Sequence, residues 1–253
     1  MTLDAESQTG GRFPATRWSA IVAARSPDAA ERAHALNALL AAYWKPVFKY
    51  IRLRWNRQLE DAQDLTQGFF AALLERDLLA KYDPEKSRLR TFLRLCVDGF
   101  VLNQDKAANR QKRGGGVPLL ALDFASAENE LEMGMLDPAK LASLESLDEF
   151  FEKEWVRSLF SLAVEDLRQL CAGNGKSRAY QLFEKYDLEE ASEHLSYAQL
   201  AQEFGLTTSE VTNALAWARR EFRQIALDRL RETCASDAEF RREARALFGW
   251  EAP

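Results

Sequence analysis

The residues best placed to do chemistry with a partner are two basic clusters. Lys106, Arg110, Lys112 and Arg113 form one, and Arg219, Arg220, Arg223, Arg229 and Arg231 form the other. Grouped cations of this kind neutralise phosphates. Catalytic chemistry finds no comparable grouping. His34 and His194 fall in neither an HExxH nor a GxSxG pattern. Cys96, Cys171 and Cys234 are odd in number, far apart and outside any CxxC pair, which points to buried reduced thiols rather than disulfides or zinc. No paired acid, nucleophile or phosphate loop is placed for catalysis. The expectation is a protein that is not an enzyme, with no cofactor, no metal and no small-molecule ligand.

The chain has 253 residues, 34 Lys and Arg against 39 Asp and Glu, and a formal net charge of -5. That sum argues against nucleic acid, but the distribution argues for it, because the acids crowd the stretch between the two basic clusters. No apolar run reaches the ~20 residues of a membrane span. MTLDAESQTGG lacks the basic-then-apolar order of a signal peptide, so a cytoplasmic protein without a membrane partner is expected.

Helices must position these clusters, since apolar residues recur at helical spacing and sustained period-two alternation is missing. Thr16 caps a short helix carrying Trp18, Ile21 and Val22; Ser26-Pro27 opens the next, which packs through Leu36, Leu39, Leu40, Tyr43 and Trp44. Pro46 predicts a kink or break before Val47, Tyr50 and Ile51. A third helix begins at Asp61 with Leu65, Phe69 and Leu73 on one face, and Asp83-Pro84 closes the segment. A fourth starts near Ser87, buries Leu89, Phe92, Leu93, Cys96 and Phe100, and stops at Gly114-Gly115-Gly116. From Gly114 to about Glu145 the periodicity fades, as in a linker. Helices resume with Phe151, Trp155, Leu159, Leu162 and Val164 on a core face.

SYAQLAQEFG (196–205) followed by LTTSEVTNALAWARREFR (206–223) has the order of a helix-turn-helix: a capped short helix, a glycine, a second capped helix. Leu200, Ala201, Val211, Leu215 and Ala218 would face inward. Thr207, Thr208, Ser209, Thr212 and Asn213 would stand at the exposed start of the second helix, where base edges can be read. The arginines from Arg219 onward would hold phosphates.

With these motifs in place, the chain resembles the extracytoplasmic-function sigma factors of bacterial RNA polymerase over nearly its whole length. YWKPVFKYIR, DAQDLTQGFFAALLER and RLRTFLRLCVDGFVLNQDKAANRQKRGGG resemble sigma region two, and the helix-turn-helix resembles region four. The triple glycine and the tail CASDAEFRREARALFGW resemble a branch associated with Ser/Thr kinases. The resemblance implies an all-α fold of two helical domains joined by a flexible linker. Residues 1–113 would be region two, 114–145 an acidic linker, 146–235 region four and 236–253 a helical extension. It implies core RNA polymerase, through its clamp and flap, and promoter DNA as partners, with a Ser/Thr kinase or an anti-sigma factor as a regulator. Asp61, Asp64, Gln67 and an exposed Phe70 would meet the polymerase clamp. Arg88, Arg90, Arg94, Asp98, Asn103, Lys106, Arg110, Lys112 and Arg113 would meet the melted promoter strand. Thr207, Thr208, Ser209, Thr212, Asn213, Arg219, Arg220 and Arg223 would meet the upstream duplex.

The sequence departs from the family pattern in three places. Gln63 and Gly68 stand where Glu is common, and a phosphate of about -1.5 to -2 charge on Thr66 would restore the missing charge, although Thr66 borders the apolar stripe. Gly99, after Asp98, stands where many relatives carry Asn, and Glu210, Thr212, Asn213 and Ala214 where basic residues are common. Two other readings stay open. One is a stand-alone helix-turn-helix regulator with an N-terminal sensor half, and the other an anti-sigma or scaffold protein using the same helices for protein contacts.

Overall fold

Asp28 fixes where the first long helix begins. Its carboxylate accepts from the backbone amides of Ala30 (2.8 Å) and Glu31 (3.1 Å), satisfying donors that a helix start leaves unpaired. In the computed structural model, which describes residues 20–24, 26–108, 122–133, 144–189 and 195–250, every regular element among those residues is helical. After a short α1 (Ala20–Ala23), α2 runs Ala29–Arg54 and α3 Leu59–Glu75. A tight turn at Leu78–Lys81 leads to α4 (Leu89–Ala108), then α5 (Phe124–Met133), α6 (Leu144–Gly173) and α7 (Ser177–Phe183). The chain finishes with α8 (Tyr197–Phe204), α9 (Thr208–Glu232) and α10 (Asp237–Phe248).

Pro46 does not end α2. The helix continues through it, and Pro46, Val47, Phe48, Tyr50 and Ile51 are all buried. The missing donor is outweighed by packing on every side, at ~1.5–3 kcal/mol for each large apolar side chain buried. The helix also starts from Asp28 rather than from the Ser26-Pro27 pair. The position Thr16 lies outside the described residues.

Two apolar cores organise the helices. The first gathers α2, α3 and α4 with Phe124 and Ala127 of α5, Leu147, Phe151, Trp155 and Leu159 of α6, and Phe240 and Ala244 of α10. The second gathers Ala163, Leu167 and Cys171 of α6 with Tyr180, Leu182 and Phe183 of α7, Leu200 of α8, and Val211 and Leu215 of α9. Two helices therefore belong to both cores: the 30-residue α6, and α9, whose Leu227 and Leu230 reach the first.

That changes the reading of 114–145. Residues 124–133, expected within a loose tether, are helical and anchored. Phe124 packs edge-on to Trp44 at 5.5 Å and tilted to Phe48 at 5.1 Å, while Glu128 pairs with Arg52 and Glu130 with Lys45 (2.6 Å) and Lys49 (2.9 Å). Two apolar anchors and acids matched to a basic stripe hold a helix that shows little periodicity of its own. On α4 the deepest stripe is Leu89, Leu93, Val97 and Val101; Phe92, Cys96 and Phe100 are only half-buried.

Candidate nucleic-acid interface

The helix-turn-helix is built by local hydrogen bonds. Ser196 opens α8 with a reciprocal cap: its hydroxyl accepts from the Gln199 amide (3.3 Å), and the Gln199 side chain accepts from the Ser196 amide (2.7 Å). Gly205 closes α8 at φ +63°, in the left-handed region that a residue with a Cβ avoids. The Leu206 amide then donates back to the Ala201 carbonyl at 2.8 Å, as in a Schellman turn. Two residues later Thr207 repeats the reciprocal cap with Glu210, at 2.7 and 3.2 Å. The backbone amide and hydroxyl of Thr207 hold the Glu210 carboxylate below its ordinary pKa.

Leu200, Val211, Leu215 and Ala218 are buried, which fixes the roll of α9. Thr207, Thr208, Ser209, Thr212 and Asn213 are exposed. Thr212 donates its hydroxyl to the Thr208 carbonyl (2.8 Å), which uses its proton and leaves the oxygen as an acceptor only, next to the exposed Asn213. The arginines are more restrained than their spacing suggests. Arg219 forks onto Asp187 (2.9 and 3.0 Å) and donates to the Tyr197 hydroxyl (3.1 Å). Arg220 pairs with Glu221 at the surface, and Arg223 lies over the Trp250 ring at 5.2 Å. Arg229 and Arg231, from the same cluster, are paired with Asp166 and Asp237.

The other basic face, at the start of α4, is occupied. Arg90 is buried, stacked over Trp155 at 4.6 Å, and paired with Glu152 of α6 (2.7 Å) and Glu243 of α10 (2.8 Å). Burial works against its charge, but Glu243 and Glu152 outweigh it and hold its pKa above the ordinary guanidinium value. Arg88 reaches the same two acids, at 3.4 and 3.0 Å, and stays half-exposed. Arg94 pairs with Asp148 (2.9 Å) and Asp98 (3.1 Å). The Tyr50 hydroxyl donates to Asp98 at 3.0 Å, and burial raises the Asp98 carboxyl pKa despite these partners. Asn103 and Lys106 are exposed, whereas Arg110, Lys112 and Arg113 lie outside the described residues.

On α3, Asp61 and Asp64 are exposed and Gln67 half-buried, but Phe70 is a correction. It is 4% exposed and packs edge-on to Phe69 at 5.2 Å, so it is core rather than surface bulk. Thr66 is fully buried and donates to the Ala62 carbonyl at 2.7 Å, which closes it to a kinase in this conformation. Gly68 faces the Phe100 ring: a Cβ there would lie 3.2 Å from Phe100 Cζ.

Sequence reasoning missed the acids that face the arginines, Glu152, Glu243 and Asp148, because partners up to 155 positions away leave no local signal. It also passed over Lys176, whose ammonium sits 3.9 Å from the centre of the Trp217 ring at the exposed start of α7. Among the described residues no helix is long and apolar enough to cross a membrane. No family model, no curated protein and no solved structure matches the chain.

Proposed function

We propose that this chain is a promoter-recognition factor of the sigma type, directing core RNA polymerase to its start sites and performing no catalysis. The observation that carries the reading is the doubly capped α8–Gly205–α9 unit, which presents Thr208, Ser209, Thr212 and Asn213 at the free start of a long helix. Exposed hydroxyl and amide groups at a helix start suit base edges in a major groove, and Asn pairs with adenine in two-point fashion. The region-two assignments support the rest: Asp61, Asp64 and Gln67 on one outer face of α3 suit a polar-rimmed protein interface, and Asn103 and Lys106 suit a melted strand. In this reading the second core lies within region four, while the first joins region two to the start of α6, the end of α9 and α10.

Run-off transcription with purified core polymerase tests it. The wild-type chain should start transcripts from a limited set of fragments in a genomic library, and Asn213→Ala should weaken the preferred upstream element by ~1–3 kcal/mol. Failure to join the core enzyme and start any transcript overturns the proposal. A second reading, a stand-alone regulator, is favoured by one observation: α6 runs through both cores without a break. Tight binding to a two-fold operator by the chain alone would select it.

A further inference from the structure

The C-terminal helix is polarised in an unusual sense. Its acids Glu239 and Glu243 are buried with Phe240 and Ala244, while Arg241, Arg242 and Arg245 are exposed. Glu243, 2% exposed, meets Arg88 Nε at 3.0 Å and Arg90 Nη1 at 2.8 Å, close to where two oxygens of a phosphate would stand. Glu152 of α6 completes the arrangement from the other side. Buried ion pairs stabilise no better than apolar residues of the same size, so stability alone gives little reason for an acid here. Arg88 remains 48% exposed, which leaves the edge of the site open to a competing anion. The four residues Thr233–Ser236 separate α10 from α9, with Thr233 and Cys234 buried and the Ala235 amide donating to Glu239 at 2.7 Å.

We propose that α10 is an acidic clasp. Glu243 takes the place of strand phosphates at Arg88 and Arg90 and closes the start of α4 to single-stranded nucleic acid until α10 withdraws. The clasp rests on the sigma-type reading of α4 as a strand-binding element, and it adds the regulation of that element.

The test compares the full-length wild type with Glu243→Gln, which keeps the side-chain shape and removes the charge. Binding to a short labelled single-stranded DNA is measured across a salt series, with amide exchange over residues 237–248 followed in parallel. Glu243→Gln should exchange faster and bind the strand about tenfold tighter, with a steeper salt dependence as more phosphates are engaged. Adding Arg88→Ala should remove much of that gain. Glu152→Gln, at a more exposed acid touching the same two arginines, should move binding the same way by less, and it serves if Glu243→Gln does not fold.

Faster exchange with unchanged strand binding overturns the clasp, as does unchanged exchange with unchanged binding. The underlying reading is scored separately by initiation with core polymerase on a pre-opened template. Initiation that depends on Asn103 and Lys106, with no gain in Glu243→Gln, overturns the clasp alone. No initiation and no strand binding by any variant overturns both.

Discussion

Lys49 and Glu154 lie 105 positions apart in sequence and 2.6 Å apart in space, each 3% exposed, at the face where α2 meets α6. Lys49→Met removes the cation and keeps most of the volume. Removing one partner of a buried pair costs about 3–5 kcal/mol. The low end, ~3 kcal/mol, is expected because Arg157 still reaches the other oxygen of Glu154. Glu130, the second partner, is 39% exposed and keeps Lys45, so its share is small. For a chain of this size ~3 kcal/mol is a fall in Tm of ~6–12 °C. Replacing both residues by methionine removes the uncompensated charge, and that double variant should return to within ~1 kcal/mol of wild type. Urea unfolding followed by tryptophan fluorescence and by circular dichroism supplies the numbers, and the two probes should coincide because α6 threads both cores. A loss below ~1 kcal/mol in Lys49→Met would refute the reasoning, since only a solvent-filled gap between α2 and α6 makes that lysine dispensable.

Gly68→Ala should stabilise the chain by about 0.5 kcal/mol: helix propensity returns ~1 kcal/mol, and the half-buried Phe100 ring end gives way by a few tenths of an ångström at a smaller cost. Thermal unfolding checks it, and a destabilised variant means the ring is pinned. The Thr207–Glu210 cap carries a pH dependence of known sign. Glu210 has a lowered folded-state pKa, so its stabilisation is complete above the ordinary value of 4.5 and is lost as the pH falls through the lowered one. An NMR titration of the Glu210 carboxyl and the Thr207 amide should show this together, and in Thr207→Ala the carboxyl should titrate closer to 4.5.

The features legible in the sequence are those whose physics is local. Ser196 with Gln199, Gly205, and Thr207 with Glu210 state the helix-turn-helix within fifteen residues, because caps and left-handed turns are satisfied by near neighbours. The illegible features are settled by distant partners. Phe70 reads as surface bulk on a one-stripe wheel, but α3 is buried over a wider arc that takes in Ala62, Thr66, Phe69, Phe70 and Leu73. Pro46 reads as a break, and packing around α2 overrides it. The helix at 124–133 has a weak stripe, and it forms against Trp44, Phe48 and the cations of α2.

The charges behind the net value of -5 are matched across the fold. On α2, on α4 and just before α4, Lys45, Lys49, Arg52, Arg88, Arg90 and Arg94 each face an acid supplied by α5, α6 or α10. The acid-rich middle of the sequence therefore supplies counter-charge on both sides: Glu128, Glu130, Asp148, Glu152 and Glu154 face the N-terminal helices, while Asp166 and Asp187 face Arg229 and Arg219 of α9. Salt separates internal pairing from phosphate binding. Contacts such as Arg90 with Glu243 are shielded from ions by their burial, while any phosphate held at the exposed start of α9 is lost steeply as salt rises. A chain whose duplex binding fades with salt while α10 stays protected from exchange would show the two surfaces to be electrostatically independent, so that opening one need not disturb the other.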